Sequence, residues 1–253
     1  MDAVVLIPAR LESTRFPRKV LADKTGQPLI QHVYEGAVRS GARRVVVATD
    51  SDEVAAAVTG FGGEAVITGC AHENGTSRLA EAAGVLGLGD DEIVVNVQGD
   101  EPEIEPEVVA ASVEALTSDP GFSIGTVASP IHDESERMSA SVVKVVVGKT
   151  GPGGVGRALY FSRSAIPFER DGSGLCARLK HVGIYAYRVG FLRKYATMEP
   201  TPLERAERLE QLRALEHGFG IGVAVREVAS VGIDTAADYE RFVARWLGRA
   251  QGS

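Results

Sequence analysis

The chain has 253 residues, 44% hydrophobic and 24% charged, with a formal net charge of −7. That size fits one large domain, or one domain with an insertion, able to bury a sizeable core. The acidic balance excludes the broad basic face of a nucleic-acid binder, and Cys70 and Cys176 lie too far apart in sequence to suggest a disulfide framework or zinc cluster. No apolar stretch reaches membrane-spanning length. The run Ala3 to Ile7 is too short for a signal-peptide core and is soon followed by Arg10. These features predict a soluble, cytoplasmic protein with no nucleic-acid or membrane partner.

The first half alternates strand and helix. Val4 to Ile7 predicts a buried strand. The loop after it, Pro8-Ala-Arg-Leu-Glu-Ser-Thr-Arg-Phe-Pro-Arg-Lys19, carries Arg10, Arg15, Arg18 and Lys19 against Glu12, a local inversion of the chain's sign. Ser13 and Thr14 add hydroxyls. A cationic loop at the carboxyl end of a parallel strand is where α/β proteins hold anions, although charge alone reads equally as a solvated surface. A helix follows over about 28–40, with Pro28 at its first position and Leu29, Ile30, Val33, Ala37 and Val38 on one face. Arg44 to Ala48 is a second buried strand. Thr49-Asp50-Ser51 opens the next helix, with Glu53 as a capping signal, and taken alone Thr49-Asp50 reads as a helix N-cap. Glu64 to Thr68 is a third strand.

In His72-Glu-Asn-Gly-Thr-Ser-Arg78, Gly75 allows close backbone approach and Thr76 suits a cap for a helix over 76–86. Arg78 falls in that helix's first turn, where the macrodipole prefers an acid. A cation there points to a bound anion or simply to the surface. Ile93 to Val97 is a fourth strand, and Asn96-Val-Gln-Gly-Asp-Glu-Pro102 follows. Gly99 permits a sharp turn that aims Asp100 and Glu101 at the crevice outside the strand ends. Mg²⁺ prefers one or two protein carboxylates with substrate phosphates, and Asp234 in Val231-Gly-Ile-Asp-Thr235 is the candidate partner. Alone, Asp234 reads as an N-cap.

From about residue 122 strands dominate, over 123–128, 142–147, 158–162 and 182–187. Gly151-Pro-Gly-Gly-Val-Gly156 matches G-x-G-x-x-G, but a strand rather than a helix follows, so it predicts a hairpin connection. Helices return over 202–218 and 236–246, with a strand over 221–225 between them. The pattern predicts an α/β fold: a mainly parallel, doubly wound, Rossmann-like sheet with a smaller mixed-sheet insertion over approximately 122–200, within a single domain spanning 1–253.

These residues resemble a known family. Ile7-Pro-Ala-Arg with Ser-Thr-Arg-Phe-Pro-Arg-Lys19, Val47-Ala-Thr-Asp50, Gly75-Thr with Arg78-Leu-Ala-Glu81, Val95-Asn-Val-Gln-Gly-Asp-Glu-Pro102, Leu159-Tyr-Phe-Ser-Arg163 with Ile166-Pro167, His181-Val-Gly-Ile-Tyr185, Pro202-Leu-Glu204 with Leu209-Glu-Gln-Leu-Arg213, and Gly232-Ile-Asp-Thr235 are similar, in order, to CMP-Kdo synthetases (3-deoxy-manno-octulosonate cytidylyltransferases). The resemblance implies a nucleotide-diphospho-sugar transferase fold and a homodimer. It also implies transfer of CMP from CTP to an acidic acceptor with release of pyrophosphate. By it, Arg10, Ser13, Arg15 and Lys19 hold the triphosphate. Thr49, Asp50, Asn74, Gly75 and Arg78 line the nucleotide side, and Asp100 and Asp234 bind Mg²⁺. Gln98, Arg163, His181, Tyr185, Glu210 and Gln211 form the acceptor pocket, Glu210 and Gln211 also fitting an exposed polar helix face. Arg10, Lys19, Asp100 and Asp234 form the implied catalytic set.

Two departures bear on the acceptor. Ser77 stands where the family usually carries an acid, which would leave Arg78 less neutralised and favour a more anionic acceptor. Met138-Ser-Ala-Ser-Val142 also departs from the usual Asn- and Pro-containing segment. The resulting alternative is a CTP:phosphonate cytidylyltransferase acting on, for example, phosphonoformate. Apolar positions Val143, Val145, Ile184 and Tyr187 are expected at an edge that supports the dimer.

Overall fold

The first strand, β1 (Val4–Ala9), explains the layering. Successive strand side chains point to opposite faces, and here both faces are apolar. Val4 and Leu6 join one core with Leu79, Ala82 and Ala83, while Val5 and Ile7 join another with Ile30, Val33, Val54 and Val58. Residues 4–7 have no exposed surface, and each such burial contributes roughly 1.5–3 kcal/mol. A strand buried on both sides must sit inside a sheet covered by helices. The structure, a computed structural model, describes residues 1–250 except 14, 73, 74, 173, 230 and 231.

In chain order, β1 is followed by α1 (Leu29–Arg39), β2 (Arg44–Thr49), α2 (Asp52–Gly60), β3 (Ala65–Ile67), α3 (Gly75–Val85), β4 (Ile93–Asn96) and α4 (Pro106–Thr117). Then come β5 (Phe122–Pro130), α5 (Glu134–Met138), β6 (Lys144–Val147), β7 (Val155–Ser162), β8 (Leu179–Arg188) and α6 (Val189–Thr197). The last elements are α7 (Pro202–Glu207), α8 (Glu210–Glu216), β9 (Gly220–Val225) and α9 (Ala236–Ala250). The strands form one nine-stranded sheet ordered β3-β2-β1-β4-β8-β5-β9-β7-β6.

The expected mainly parallel sheet needs refinement. β1 to β4 are parallel as predicted, and β5 runs parallel to β9, but β8 enters antiparallel between β4 and β5, and β6 and β7 are antiparallel as well. The strands within 122–200 are continuous with the parallel half. β6 also pairs with β8, which closes β8, β5, β9, β7 and β6 into a ring. Residues 151–156 do connect antiparallel β6 and β7, as a hairpin.

Gly125 makes the close contact of α4 with the sheet possible. A Cβ there would lie 2.1 Å from the Ser112 carbonyl oxygen and 2.4 Å from the Leu116 nitrogen, distances no side chain tolerates.

Three local expectations change. Pro28 is the extended residue before α1 rather than its first helical one. The helix expected over 202–218 is two helices, because Arg208 adopts a left-handed backbone (φ 53°, ψ 52°) and Leu209 is extended. A break here rotates the second half, so that Glu210 and Gln211 face inward. Finally, Val145, Ile184 and Tyr187 are core residues with 0–3% exposure, and Val143 lines a cavity. Burial within the chain's own ring of strands removes them as a dimerisation edge.

Candidate active site

Two cavities open at the carboxyl ends of β1 and β4. The smaller, about 330 Å³, is lined by Arg10, Ser13, Arg15, Lys19, Gln98 and Asp100, among others. The larger, about 590 Å³, also includes Arg15, Gln98 and Asp100, and extends to Gly75, Arg163, His181, Tyr185, Glu210, Gln211 and Asp234. The structure thus gathers residues more than 200 positions apart around one junction.

The cationic loop is held from both sides. Phe16 packs on Tyr239 of α9 with ring centroids 5.5 Å apart, and Arg10 donates to the His72 carbonyl. Arg18, in a left-handed backbone, turns away to pair with Glu53. That leaves Arg10, Arg15 and Lys19 as the cations of the small cavity. Lys19 Nζ donates to Asp100 Oδ2 (2.8 Å) and to the Ile233 carbonyl (2.6 Å), and Arg15 grips both Asp234 oxygens (3.2 and 2.9 Å). The Ile233 N–H donates to the Asp100 carbonyl at 2.8 Å, so the two acidic loops are tied directly. Gly99 serves close approach rather than an unusual turn. Its φ is not positive, and a Cβ would meet the Pro8 carbonyl at 2.8 Å.

Asp234 is not the cap of α9. Thr235 accepts from the Asp238 N–H while Asp238 accepts from the Thr235 and Asp234 N–H groups. This reciprocal cap leaves the Asp234 carboxylate free for Arg15. Ser51, likewise, caps α2, so Thr49 and Asp50 are not caps. Thr49 is fully buried and accepts from the Ser51 N–H.

Arg78 departs most from expectation. It is neither at the surface nor poised for a free anion. With no exposed surface, it donates to Asp50 Oδ2 and Thr68 Oγ1, both at 2.7 Å. Asp50 therefore neutralises Arg78, and the departure at Ser77 does not leave it bare. Thr49, Asp50 and Arg78 line neither of the two cavities, while Gly75 lines the larger. Asn74, expected on the nucleotide side, lies outside the described residues.

The larger cavity has a different character. On β8 the period of two places His181, Gly183, Tyr185 and Tyr187 on one face, towards the cavity. Register with β4 sets Asn96 beside Tyr185, and register with β5 sets Thr126 beside it on the other side. Thr126 has one hydroxyl proton and donates it to the Ile184 carbonyl at 2.6 Å. Its 2.9 Å contact with His181 Nε2 must then be a bond it accepts, which places the imidazole proton on Nε2 and leaves Nδ1 an acceptor. Burial pushes the His181 pKa down to about 3, so the ring is neutral.

Tyr185 donates to Gln211 Oε1 at 3.1 Å. This orients the amide, and Gln211 Nε2, like Asn96 Oδ1, is buried without a protein partner. Thr76, expected to cap α3, instead donates to Glu210 Oε2 at 2.6 Å, and burial raises the pKa of the Glu210 carboxyl. Glu210 and Gln211 are not on an exposed helix face. Arg163 is braced by its Nε on the Glu207 carbonyl and Nη1 on the Ala140 carbonyl (2.7 and 3.0 Å).

With this geometry established, comparison with known proteins decides the family. The sequence pattern described as cytidylyltransferase matches residues 4–226. The 3-deoxy-manno-octulosonate cytidylyltransferase of Syntrophobacter fumaroxidans is 49% identical over 245 residues, 96% of each chain. The chain belongs to this cytidylyltransferase family. The Geobacter sulfurreducens protein of the same name is 48% identical, covering 95% of this chain and 98% of that one. A solved CMP:2-keto-3-deoxy-manno-octonic acid synthetase complexed with CTP superposes with a TM-score of 0.88 at 40% identity, over 98% of this chain and 100% of that one.

As a cytidylyltransferase-family nucleotidyltransferase, the chain also shows what motif reading overlooked. Asn96, Thr76, Tyr187, Tyr195 and Arg208 line the larger cavity. Asn96 had a signal, a lone amide ending an apolar strand. Arg208 had none, because its position depends on the helix break. No helix among the described residues is long and apolar enough to cross a membrane.

Proposed function

We propose that the chain transfers CMP from CTP to 3-deoxy-manno-octulosonate and releases pyrophosphate. The observation that carries this reading is the junction of two unlike cavities. One is cationic and fits a triphosphate, and the other is rich in oriented hydrogen-bonding groups with Arg163 and Arg208 on its wall, as a sugar acid requires. They meet at Arg15, Gln98 and Asp100. Relatives bearing that activity in their names, and a similar structure complexed with CTP, support the same substrate pair. They favour it over a phosphonate, and the buried Arg78–Asp50 pair removes the reason to expect a more anionic acceptor.

In this mechanism Arg10, Ser13, Arg15 and Lys19 bind the triphosphate, with the cations offsetting charge on the leaving pyrophosphate. Phosphoryl-group transfer depends chiefly on positioning and charge neutralisation, so no dedicated base is invoked. The Nδ1 of neutral His181 accepts a hydrogen bond from an acceptor hydroxyl, and Gln211 Nε2 and Asn96 Oδ1 offer a donor and an acceptor. Glu210, fixed by Thr76, orients the sugar.

Asp100 and Asp234 fit a Mg²⁺ site as a donor set: two hard carboxylates on one cavity wall, with no third protein ligand beside them among the described residues. The remaining ligands would be phosphate oxygens and water, as Mg²⁺ prefers. Bound there, the ion would neutralise phosphate charge and lower the pKa of the acceptor oxygen. The proposal includes a homodimer and a cytoplasmic setting, the former open to sedimentation analysis. A pyrophosphate-release assay with CTP, Mg²⁺ and either 3-deoxy-manno-octulosonate or phosphonoformate tests the central reading. Turnover with the phosphonate alone would overturn it.

A further inference from the structure

We propose that Arg208 is a specificity-determining residue that binds the carboxylate of the acceptor. The inference rests on the acceptor reading above and extends it to Arg208, which falls between Glu204 and Leu209, where the resemblance assigns no role. Among the described residues, Arg18 and Arg208 are the two non-glycine residues with positive φ. Such a backbone costs free energy for a residue with a Cβ, and glycine would hold the same turn without that cost. Arg18 has a side-chain role, its ion pair with Glu53. Among the described residues the Arg208 guanidinium has no ion-pair or hydrogen-bond partner, yet it lines the larger cavity beside Arg163, Glu210 and Gln211.

The surrounding carboxylates are already engaged. Glu204 takes two bonds from Arg213, both at 2.7 Å. Glu207 accepts from the Ser162 hydroxyl and the Arg163 N–H at 2.6 and 2.9 Å. Glu210 accepts from Thr76. Arg163 spends its own donors on carbonyl oxygens, including that of Arg208 at 3.4 Å, and its charge acts on the Glu207 carboxylate, so it is already engaged. The Arg208 guanidinium, without a counter-anion among the described residues and lining the same cavity as the buried and unpartnered Gln211 Nε2, makes that wall complementary to a carboxylate. Arginine matches that group through paired, charge-assisted bonds.

The test compares 3-deoxy-manno-octulosonate with its C1 amide, which keeps the sugar and removes the charge. The wild type should favour the acid in kcat/KM. Arg208→Gln should cut the acid-to-amide preference about tenfold, the value of one charge-assisted bond at a partly exposed site. The KM for CTP should stay unchanged, and Arg208→Lys should keep most of the preference. Arg208→Gly removes the charge while easing the backbone, so it should match Arg208→Gln in preference and carries the test if that variant folds poorly. An unchanged acid-to-amide ratio in the neutral variants, with the wild type active, overturns this inference alone. A wild type that turns over no acidic acceptor overturns the acceptor reading and this inference with it.

Discussion

The two cavities that meet at Asp100 are built from opposite materials. The smaller, cationic cavity is built on ion pairs, Lys19–Asp100 part-buried and Arg15–Asp234 near the surface. Arg15 and Asp234 have side chains 66% and 54% exposed, so water screens much of their attraction and the pair contributes little to stability. The larger cavity adds neutral groups held in place, His181, Tyr185, Gln211 and Asn96, each aimed by one hydrogen bond or by strand register, beside charged residues such as Arg163 and Glu210. Under the proposed function, weak and exchangeable pairs suit cations and carboxylates that change partners when a charged substrate arrives. Fixed neutral dipoles suit recognition of a sugar, where an unmet buried hydrogen bond penalises the wrong ligand.

Substitutions can break or sharpen that contrast. The largest effect is expected from Asp100→Ala or Asp234→Ala. Turnover should fall about a thousandfold or more through lost charge stabilisation, with circular dichroism unchanged. A near-normal rate in either variant would remove the acidic arm of the proposed phosphate site. Lys19→Ala should lower kcat/KM for CTP about a hundredfold while leaving the acceptor KM almost untouched. An equal rise in both KM values would show that the cavities do not divide the substrates. Asp50→Asn strips the counter-charge from fully buried Arg78. A loss of about 3 kcal/mol, seen as a melting temperature roughly 6–12 °C lower, would show that this pair is structural. No shift would mean that Arg78 is held by other contacts.

The smallest effect concerns pH. His181 has a folded pKa of about 3, below its ordinary 6.5, so between those values the unfolded chain binds the extra proton. Its stabilising contribution is whole above about pH 6.5 and is lost progressively as pH falls towards 3, by at most about 1.4 kcal/mol per unit. His181→Asn should therefore flatten the acid side of a plot of melting temperature against pH. Activity between about pH 6 and 9 should show no ionisation of this ring. An activity pKa near 6.5 that disappears in the variant would refute the neutral assignment.

The parallel half of the fold and the cationic loop were legible because their signals are local. An apolar run buried on both faces reads as a parallel-sheet strand, and a cluster of like charges stands out in an acidic chain. The lining of the larger cavity was legible only as far as family resemblance carried it. Residues alone left Glu210 and Gln211 as a plausible exposed helix face, since one left-handed residue at Arg208 decides which way they point. Arg78 shows the same limit. Its helix position suggested an anion or the surface, and only folding brought Asp50, 28 residues earlier, against it.

By itself, then, the sequence determined the alternation of strands and helices, the cationic loop and the acidic turns, because these depend on residues close along the chain. Tertiary structure decided how the sheet continues beyond β4, which charges neutralise one another, and which polar groups lose water and face the cavity. Those outcomes depend on contacts across 100 or more residues, such as Lys19 with Ile233 and Thr76 with Glu210, whose free energy exists only once the intervening chain has folded.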